Sequence, residues 1–245
     1  MGKIQIVEIH SGSSGWERMT HVLFDFFGTL VDYAPGDAEE GFRKALKLLP
    51  GDSDFDVAQT LWNSAWETHE AEAQETLREY SMDNIAGSFL EQLTGGPPPE
   101  DLTHSFGECY MSEWSKGVRY LDGVDGMVER LSNCFHLAVI TNTHNPSLVP
   151  NHLKWMGVAD YFQLVVTSVE FGRRKPDQAI FEHTLDCLEA APDACVYVGD
   201  TFEADYVGAR RAGLRPFLID PEKKHGVPPG DRLASILELE DVLKK

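Results

Sequence analysis

Four short stretches carry residue types that could do chemistry together. Asp25 ends the apolar run His21-Val-Leu-Phe24 and is followed three residues later by the pair Gly28-Thr29. Thr141-Asn-Thr143 comes directly after Val139-Ile140, and Gly172-Arg-Arg-Lys-Pro-Asp177 is a basic loop leading into a helix. Gly199-Asp-Thr-Phe-Glu-Ala-Asp205 follows a further apolar run. Each has a structural explanation when taken alone. Asp200 and Thr201 can cap the next helix, Lys175 before Pro176 can make a surface turn, and Thr141 with Asn142 can close a strand through side-chain hydrogen bonds. Together they supply a carboxylate nucleophile, a hydroxyl with an amide, a lysine and two further carboxylates. A carboxylate can form a covalent intermediate, cationic and hydroxyl groups can stabilise the charge that develops on a transferring group, and carboxylates are ligands for hard divalent cations.

The elements that position these residues follow from hydrophobic texture. The run from His21 through Asp25 and apolar runs at His136–Ile140, Leu164–Thr167, Cys195–Gly199 and Arg215–Ile219 read as buried strands. Helices are expected at Val124–Leu131, through Leu148, Leu153 and Met156 to Gly157, at Gln178–Leu188, at Glu203–Ala212, and at Leu233–Leu243 as the last element. Strands alternating with helices of this length imply right-handed βαβ units and a parallel sheet covered on both faces, an α/β, Rossmann-like doubly wound architecture. In such sheets the carboxyl ends of adjacent strands converge on one crevice, which is where all four motifs fall.

Residues 35–117 have a different texture. Phe42, Leu46 and Leu49 recur at helical spacing, as do Leu61, Trp62, Ala65 and Trp66, then Ile85, Phe89 and Leu93. Gly95-Gly-Pro-Pro-Pro99 breaks the pattern before a further helix over Glu100–Lys116, while Val31–Asp37 reads as a turn-rich connection. The predicted organisation is an N-terminal extension at 1–18, a core at 19–34 and 118–245, and an all-α insertion at 35–117. Met19 is a natural start in this reading, because Ser11-Gly-Ser-Ser-Gly15 has the composition of a flexible leader.

In this order, Asp25-Phe-Phe-Gly-Thr29, Thr141, Lys175-Pro-Asp177 and Gly199-Asp200 with Asp205 resemble the four motifs of the haloacid dehalogenase superfamily, and the helical insertion resembles its cap. The resemblance spans residues 20–221. It implies a Mg2+-dependent hydrolase of phosphatase type, acting on a small phosphorylated metabolite through an aspartyl-phosphate on Asp25. By the same resemblance Asp25, the Phe27 carbonyl and Asp200 ligate the metal, with Asp205 behind them or acting through water. Thr141, Asn142 and backbone N–H groups near Gly28 and Thr29 hold phosphoryl oxygens, and Lys175 offsets charge. A metal and a lysine are expected to keep the pKa of Asp25 low.

One position departs from the family pattern. Phosphatases of this superfamily carry a second aspartate two residues after the nucleophile to handle protons; here that residue is Phe27. An aromatic residue there resembles the dehalogenase branch, whose halide leaving group needs no proton. Dehalogenases lack the acidic pair represented by Asp200 and Asp205, and Arg43 is no convincing match for their substrate-binding arginine. The alternatives are therefore a metal-independent 2-haloacid dehalogenase working through an aspartyl ester, or a catalytically weak ligand-binding member. A retained metal site without the proton donor suits a substrate with a good leaving group. Asp32, near the junction with the insertion, is read as a hinge hydrogen-bonding residue, with proton donation as the lesser alternative. In the insertion, Trp62 and Trp66 read as core and His69 and Arg78 as solvated.

Composition narrows the partners. A formal net charge of −19 argues against nucleic acid and anionic membranes, and any phosphate site must hold its own positive charge. No apolar run approaches the ~20 residues of a membrane span. Cys109, Cys134, Cys187 and Cys195 form no CxxC pair and read as buried thiols of a reducing compartment. The expected setting is cytoplasmic, as a monomer or homodimer, with a small anionic molecule as partner.

Overall fold

The structure, a computed structural model, describes residues 18–34, 38–51 and 53–244. The leader expected at 1–18 lies outside the described residues apart from Arg18. Strand β1 (His21–Phe24) is buried along its whole length. It lies parallel between β4 (His136–Thr141) and β6 (Cys195–Gly199), with Phe24 in register with Val139 on one side and Val198 on the other. β5 (Phe162–Thr167) flanks β4, while β7 (Arg215–Ile219) and β8 (Arg232–Leu233) extend the other edge, so the order is β5-β4-β1-β6-β7-β8 and every pairing is parallel.

Alternation along the strands gives each face its own core. Val22, Phe24, Leu137, Val139, Val196 and Val198 pack against α5 (Val124–Ser132), α6 (Leu148–Trp155) and the C-terminal α10 (Leu239–Leu243). Leu23, Ala138, Ile140 and Tyr197 face α8 (Gln178–Cys187) and α9 (Gly208–Arg211), and the short α7 (Ser168–Phe171) leads from β5 toward the lysine loop. Each fully buried Leu, Val or Phe contributes about 1.5–3 kcal/mol of transfer free energy. These two layers therefore hold the strand ends, and the polar groups on them, in fixed positions.

The chain leaves β1 by the short strand β2 (Val31–Tyr33), which pairs antiparallel with β3 (Val118–Tyr120). This corrects the expectation of an irregular connection. The ribbon is too short and too exposed to show alternation, and its two strands lie far apart in sequence. Between them sit α1 (Ala38–Leu46), α2 (Phe55–Thr76), α3 (Met82–Thr94) and α4 (Glu100–Trp114). The Asp54 carboxylate caps α2 by accepting from the Asp56 and Val57 N–H groups, and Ser81 with Asn84 forms a capping box on α3. Phe42, Trp62, Phe89 and Phe106 form the centre of a separate aromatic core for these helices.

Three other expectations are corrected. Residues 233–243 are not one helix: β8 joins the sheet edge, a 3-10 turn follows at Ile236–Glu238, and only Leu239–Leu243 is α-helical. The helix expected over Glu203–Ala212 opens as a wide π-helical turn, Phe202–Val207, before α9. Of the cysteines only Cys195 is buried. Cys109 is half-buried, and Cys134, in the turn after α5, and Cys187, at the end of α8, are exposed. Among the described residues no helix is long and apolar enough to cross a membrane.

Candidate active site

β4, β1 and β6 are neighbours, so Thr141, Asp25 and Asp200 come together at their carboxyl ends. The chain runs from β1 toward β4 and β5 on one side and toward β6, β7 and β8 on the other, which makes this the crevice of an open α/β sheet. The backbone N–H of Asp25 donates to the Val198 carbonyl at 2.8 Å, tying the residue to β6. A carboxylate oxygen from each of Asp25, Asp200 and Asp205 lies within 4.8 Å of those of the other two.

Lys175 is the centre of the network. Its ammonium donates to Asp25 Oδ1 at 2.7 Å, to Asp205 Oδ1 at 2.6 Å and to the Tyr197 hydroxyl at 2.8 Å. All three protons are thus spent on protein groups. Its side chain is 2% exposed. Burial works against its charge, but Asp205 and Asp25 outweigh burial and hold its pKa above the ordinary value. The Tyr197 hydroxyl lies 2.9 Å from Asp205 Oδ1 and 3.1 Å from the Ile140 carbonyl, and the Thr201 N–H donates to Asp205 Oδ2. Both oxygens of Asp205 are therefore held by the protein, which leaves Asp25 and Asp200 the more available carboxylates.

The low pKa expected of Asp25 supposes a metal as well as the lysine, and the protein groups alone do not supply it. Burial raises its pKa, and the opposing attraction of Lys175 does not compensate, because Asp205 and Asp200 repel its charge. Asp200 is raised as well, by burial and then by Asp205. Three carboxylates face one ammonium, so full ionisation leaves two negative charges uncompensated. An oxygen-rich donor set with that deficit fits a divalent cation such as Mg2+.

Several assigned residues do different work from that expected. Gly28 does not offer its N–H, which donates to the Val31 carbonyl at 2.8 Å, and the Thr29 N–H donates to the Phe26 carbonyl. Gly28 is required for space: at φ +78° an added Cβ would stand 2.2 Å from Asp200 Oδ2. Gly28→Ala is expected to lower stability by about 1–3 kcal/mol and to displace Asp200, reducing turnover, as thermal melts and steady-state rates would record. The Asn142 side chain is committed to Lys175, with Nδ2 donating to the Lys175 carbonyl and Oδ1 accepting the Lys175 N–H. It positions the lysine backbone instead of offering its amide to a phosphoryl oxygen. The Thr29 and Thr141 hydroxyls are buried and have no hydrogen-bond partner among the described residues. Orphan buried hydroxyls are rare and fit groups that await an anion.

Phe27 is half-buried, with its ring edge-on to Phe26, Tyr33 and Trp114. It borders a cavity of about 200 Å³ shared with Trp66, Tyr110, Met111, Trp114, Thr143, His144 and Leu148. Trp62 is core, whereas Trp66 also faces this cavity. His69 bonds to the Ser88 hydroxyl, and Arg43 pairs with Glu39 and stacks over Phe55. Asp32 is exposed on β2 and faces Arg119 across the ribbon.

Sequence reasoning missed two features. Tyr197 is the first; its signal is a single polar group inside the otherwise apolar strand Cys195-Val-Tyr-Val-Gly199. The second is a buried seam between the helical block and the lysine loop. The Arg174 guanidinium bridges Glu70 and Glu79, Ser168 donates to Glu79 at 2.6 Å, and His144 stacks on Tyr80 at 4.4 Å. Burial works against the charge of Glu79, yet His144, Arg174 and Ser168 bring its pKa down to about 2 from the ordinary 4.5. A depressed carboxyl stabilises the fold fully above the unfolded value, and that contribution is lost as pH falls from 4.5 toward about 2. Glu79→Gln is expected to flatten the acid limb of a stability-against-pH curve in that window, removing on the order of 3 kcal/mol of pH dependence.

Comparison with known proteins comes from three directions. The model of the haloacid dehalogenase-like hydrolases matches residues 19–213. The chain is 29% identical over 220 residues to a ribulose-1,5-bisphosphate 5-phosphatase from Halopiger xanaduensis, covering 88% of this chain and 91% of that protein. It is 32% identical over 242 residues to human haloacid dehalogenase-like hydrolase domain-containing protein 3, covering 91% of this chain and 87% of that one. A solved 2-haloacid dehalogenase from Pseudomonas syringae pv. Tomato DC3000 superposes with a TM-score of 0.69 at 25% identity, covering 92% of this chain and 98% of that structure.

Proposed function

This chain belongs to the haloacid dehalogenase-like hydrolase family, and from that premise we propose that it is a Mg2+-dependent phosphohydrolase of a small phosphorylated molecule, with Asp25 as nucleophile. The observation that carries the proposal is the charge of the site: three converging carboxylates against one buried lysine. A metal-independent dehalogenase has no use for that excess of negative charge.

In this reading Asp25, Asp200 and the Phe27 carbonyl would hold Mg2+, and Asp205 would reach it through water. When bound, the ion would offset charge on the nucleophile and on the phosphoryl oxygens. The residues of the chain do the rest. A free oxygen of Asp25 attacks phosphorus while Lys175 fixes the carboxylate through Oδ1. The Thr141 and Thr29 hydroxyls are available to phosphoryl oxygens. The bond to the leaving oxygen breaks, an aspartyl-phosphate forms, and water then attacks its phosphorus to release phosphate and regenerate Asp25. The helical block acts as a cap, held to the lysine loop by Glu70, Glu79 and Arg174, and it shelters these steps from bulk water.

One observation favours the dehalogenase reading, namely Phe27 in place of a proton-handling carboxylate. Against it, Arg43 is committed to Glu39 and Phe55. A screen of phosphorylated metabolites with and without Mg2+, run beside chloride release from 2-chloropropionate, separates the two. Phosphate release that stops on chelation is expected; chelator-resistant chloride release would overturn the proposal.

A further inference from the structure

The cavity that Phe27 borders is lined mainly by aromatic and apolar side chains. Four aromatic rings, Phe27, Trp66, Tyr110 and Trp114, make most of its wall, with Met111 and Leu148 completing it. Polar groups among the lining residues are those of His144 and Thr143, the Tyr110 hydroxyl and the indole N–H groups of Trp66 and Trp114, and the lining contains no carboxylate or lysine. His144 uses Nδ1 on the Tyr80 carbonyl at 3.1 Å and stacks its ring on Tyr80, so it is held at the edge as part of the seam. Phe27 stands two residues from Asp25, and Thr143 two residues from Thr141, so two of the residues that line the cavity belong to the loops leaving the strands that carry the nucleophile and the orphan hydroxyl. Its volume, about 200 Å³, suits a single ring, since an apolar cavity of about 150 Å³ accepts a benzene molecule.

Building on the phosphohydrolase reading, we propose that the substrates of this site are aryl phosphates, monoesters of a phenol-sized leaving group that packs among Phe27, Trp66, Tyr110 and Trp114. The same residue explains both halves of the proposal. Phe27 adds an aromatic wall where a proton donor would stand, and a phenol is a leaving group that does without one, with a pKa of about 10 against about 15.7 for water. Asp25 Oδ bonds to phosphorus as the P–O(aryl) bond breaks, and the electron pair departs on the phenolate oxygen. Water then adds to phosphorus, the P–O bond to Asp25 breaks, and the proton lost by water balances the one the phenolate gains from solvent.

The test uses the full chain with Mg2+ and three substrates, acetyl phosphate, phenyl phosphate and cyclohexyl phosphate, with phenylphosphonate and methylphosphonate as competitive inhibitors. Cyclohexyl matches phenyl in size but leaves as a poor alkoxide. Turnover of phenyl phosphate is expected to exceed that of cyclohexyl phosphate by about 100-fold or more, the scale of a missing general acid. Phenylphosphonate is expected to bind about tenfold or more tightly than methylphosphonate, from apolar burial in the cavity. Phe27→Asp is expected to raise cyclohexyl phosphate turnover and narrow the gap. Equal turnover of the two esters, or equal binding of the two phosphonates by the unmodified protein, overturns the aryl assignment. Absence of acetyl phosphate turnover, which needs neither the cavity nor a proton donor, overturns the phosphohydrolase reading itself.

Discussion

Asp25→Asn is expected to abolish phosphate release, lowering turnover by about 10^4-fold or more, as removal of a covalent nucleophile does elsewhere. The amide has the size of the carboxylate and can still accept the proton that Lys175 directs at Oδ1, but it has no anionic oxygen with which to attack phosphorus. The effect on stability should run the other way. Asp25 is buried with its pKa raised, beside two other carboxylates, so the neutral amide removes a charge the metal-free protein compensates poorly. The melting temperature of the metal-free variant is expected to equal or exceed that of the unmodified protein. A variant that lost activity only by unfolding would show the opposite, so melts and rates on the same sample separate the two causes.

Lys175→Met is expected to damage both activity and stability. Three buried partners, Asp25, Asp205 and Tyr197, lose their shared donor at once. Removing one partner from a buried charge pair costs about 3–5 kcal/mol, because the remaining charge stays desolvated. Turnover should fall by about 10^2–10^3-fold, the scale of a lost preorganised electrostatic group. The double variant with Asp25→Asn should recover part of the stability and none of the activity. Such non-additivity is expected of residues in direct contact, and chemical denaturation of the four proteins in the cycle measures it.

The catalytic strands were legible in the sequence because buried parallel strands read as continuous apolar runs. β6 and β7 have the bounds expected, and β1, β4 and β5 differ only by a residue or two at their ends. Asp25, Thr141, Lys175, Asp200 and Asp205 were legible for the same reason, since each follows such a run or the loop leading from it. The β2–β3 ribbon and β8 were not. Strands of two or three residues carry no period, and their partners come from distant sequence. The seam was hidden similarly: Glu79 and Arg174 pair across 95 residues, and nothing local marks either as buried. Asn142 contacts the Lys175 backbone and Gly28 lies against Asp200, and these tasks depend on hydrogen bonds and clearances that only three dimensions reveal. Phe27 was visible from the outset as a departure. The aromatic cavity around it, built from α2, α4 and α6 as well, required the fold.

The central claim is that Asp25 takes up the phosphoryl group. Rapid acid quench of the protein during turnover of acetyl phosphate carrying radioactive phosphorus, followed by peptide mapping, tests it most directly. Label is expected on the peptide containing Asp25, present with Mg2+, absent after chelation and absent in Asp25→Asn. Phosphate release with no label on that peptide, or label that persists in Asp25→Asn, would contradict it.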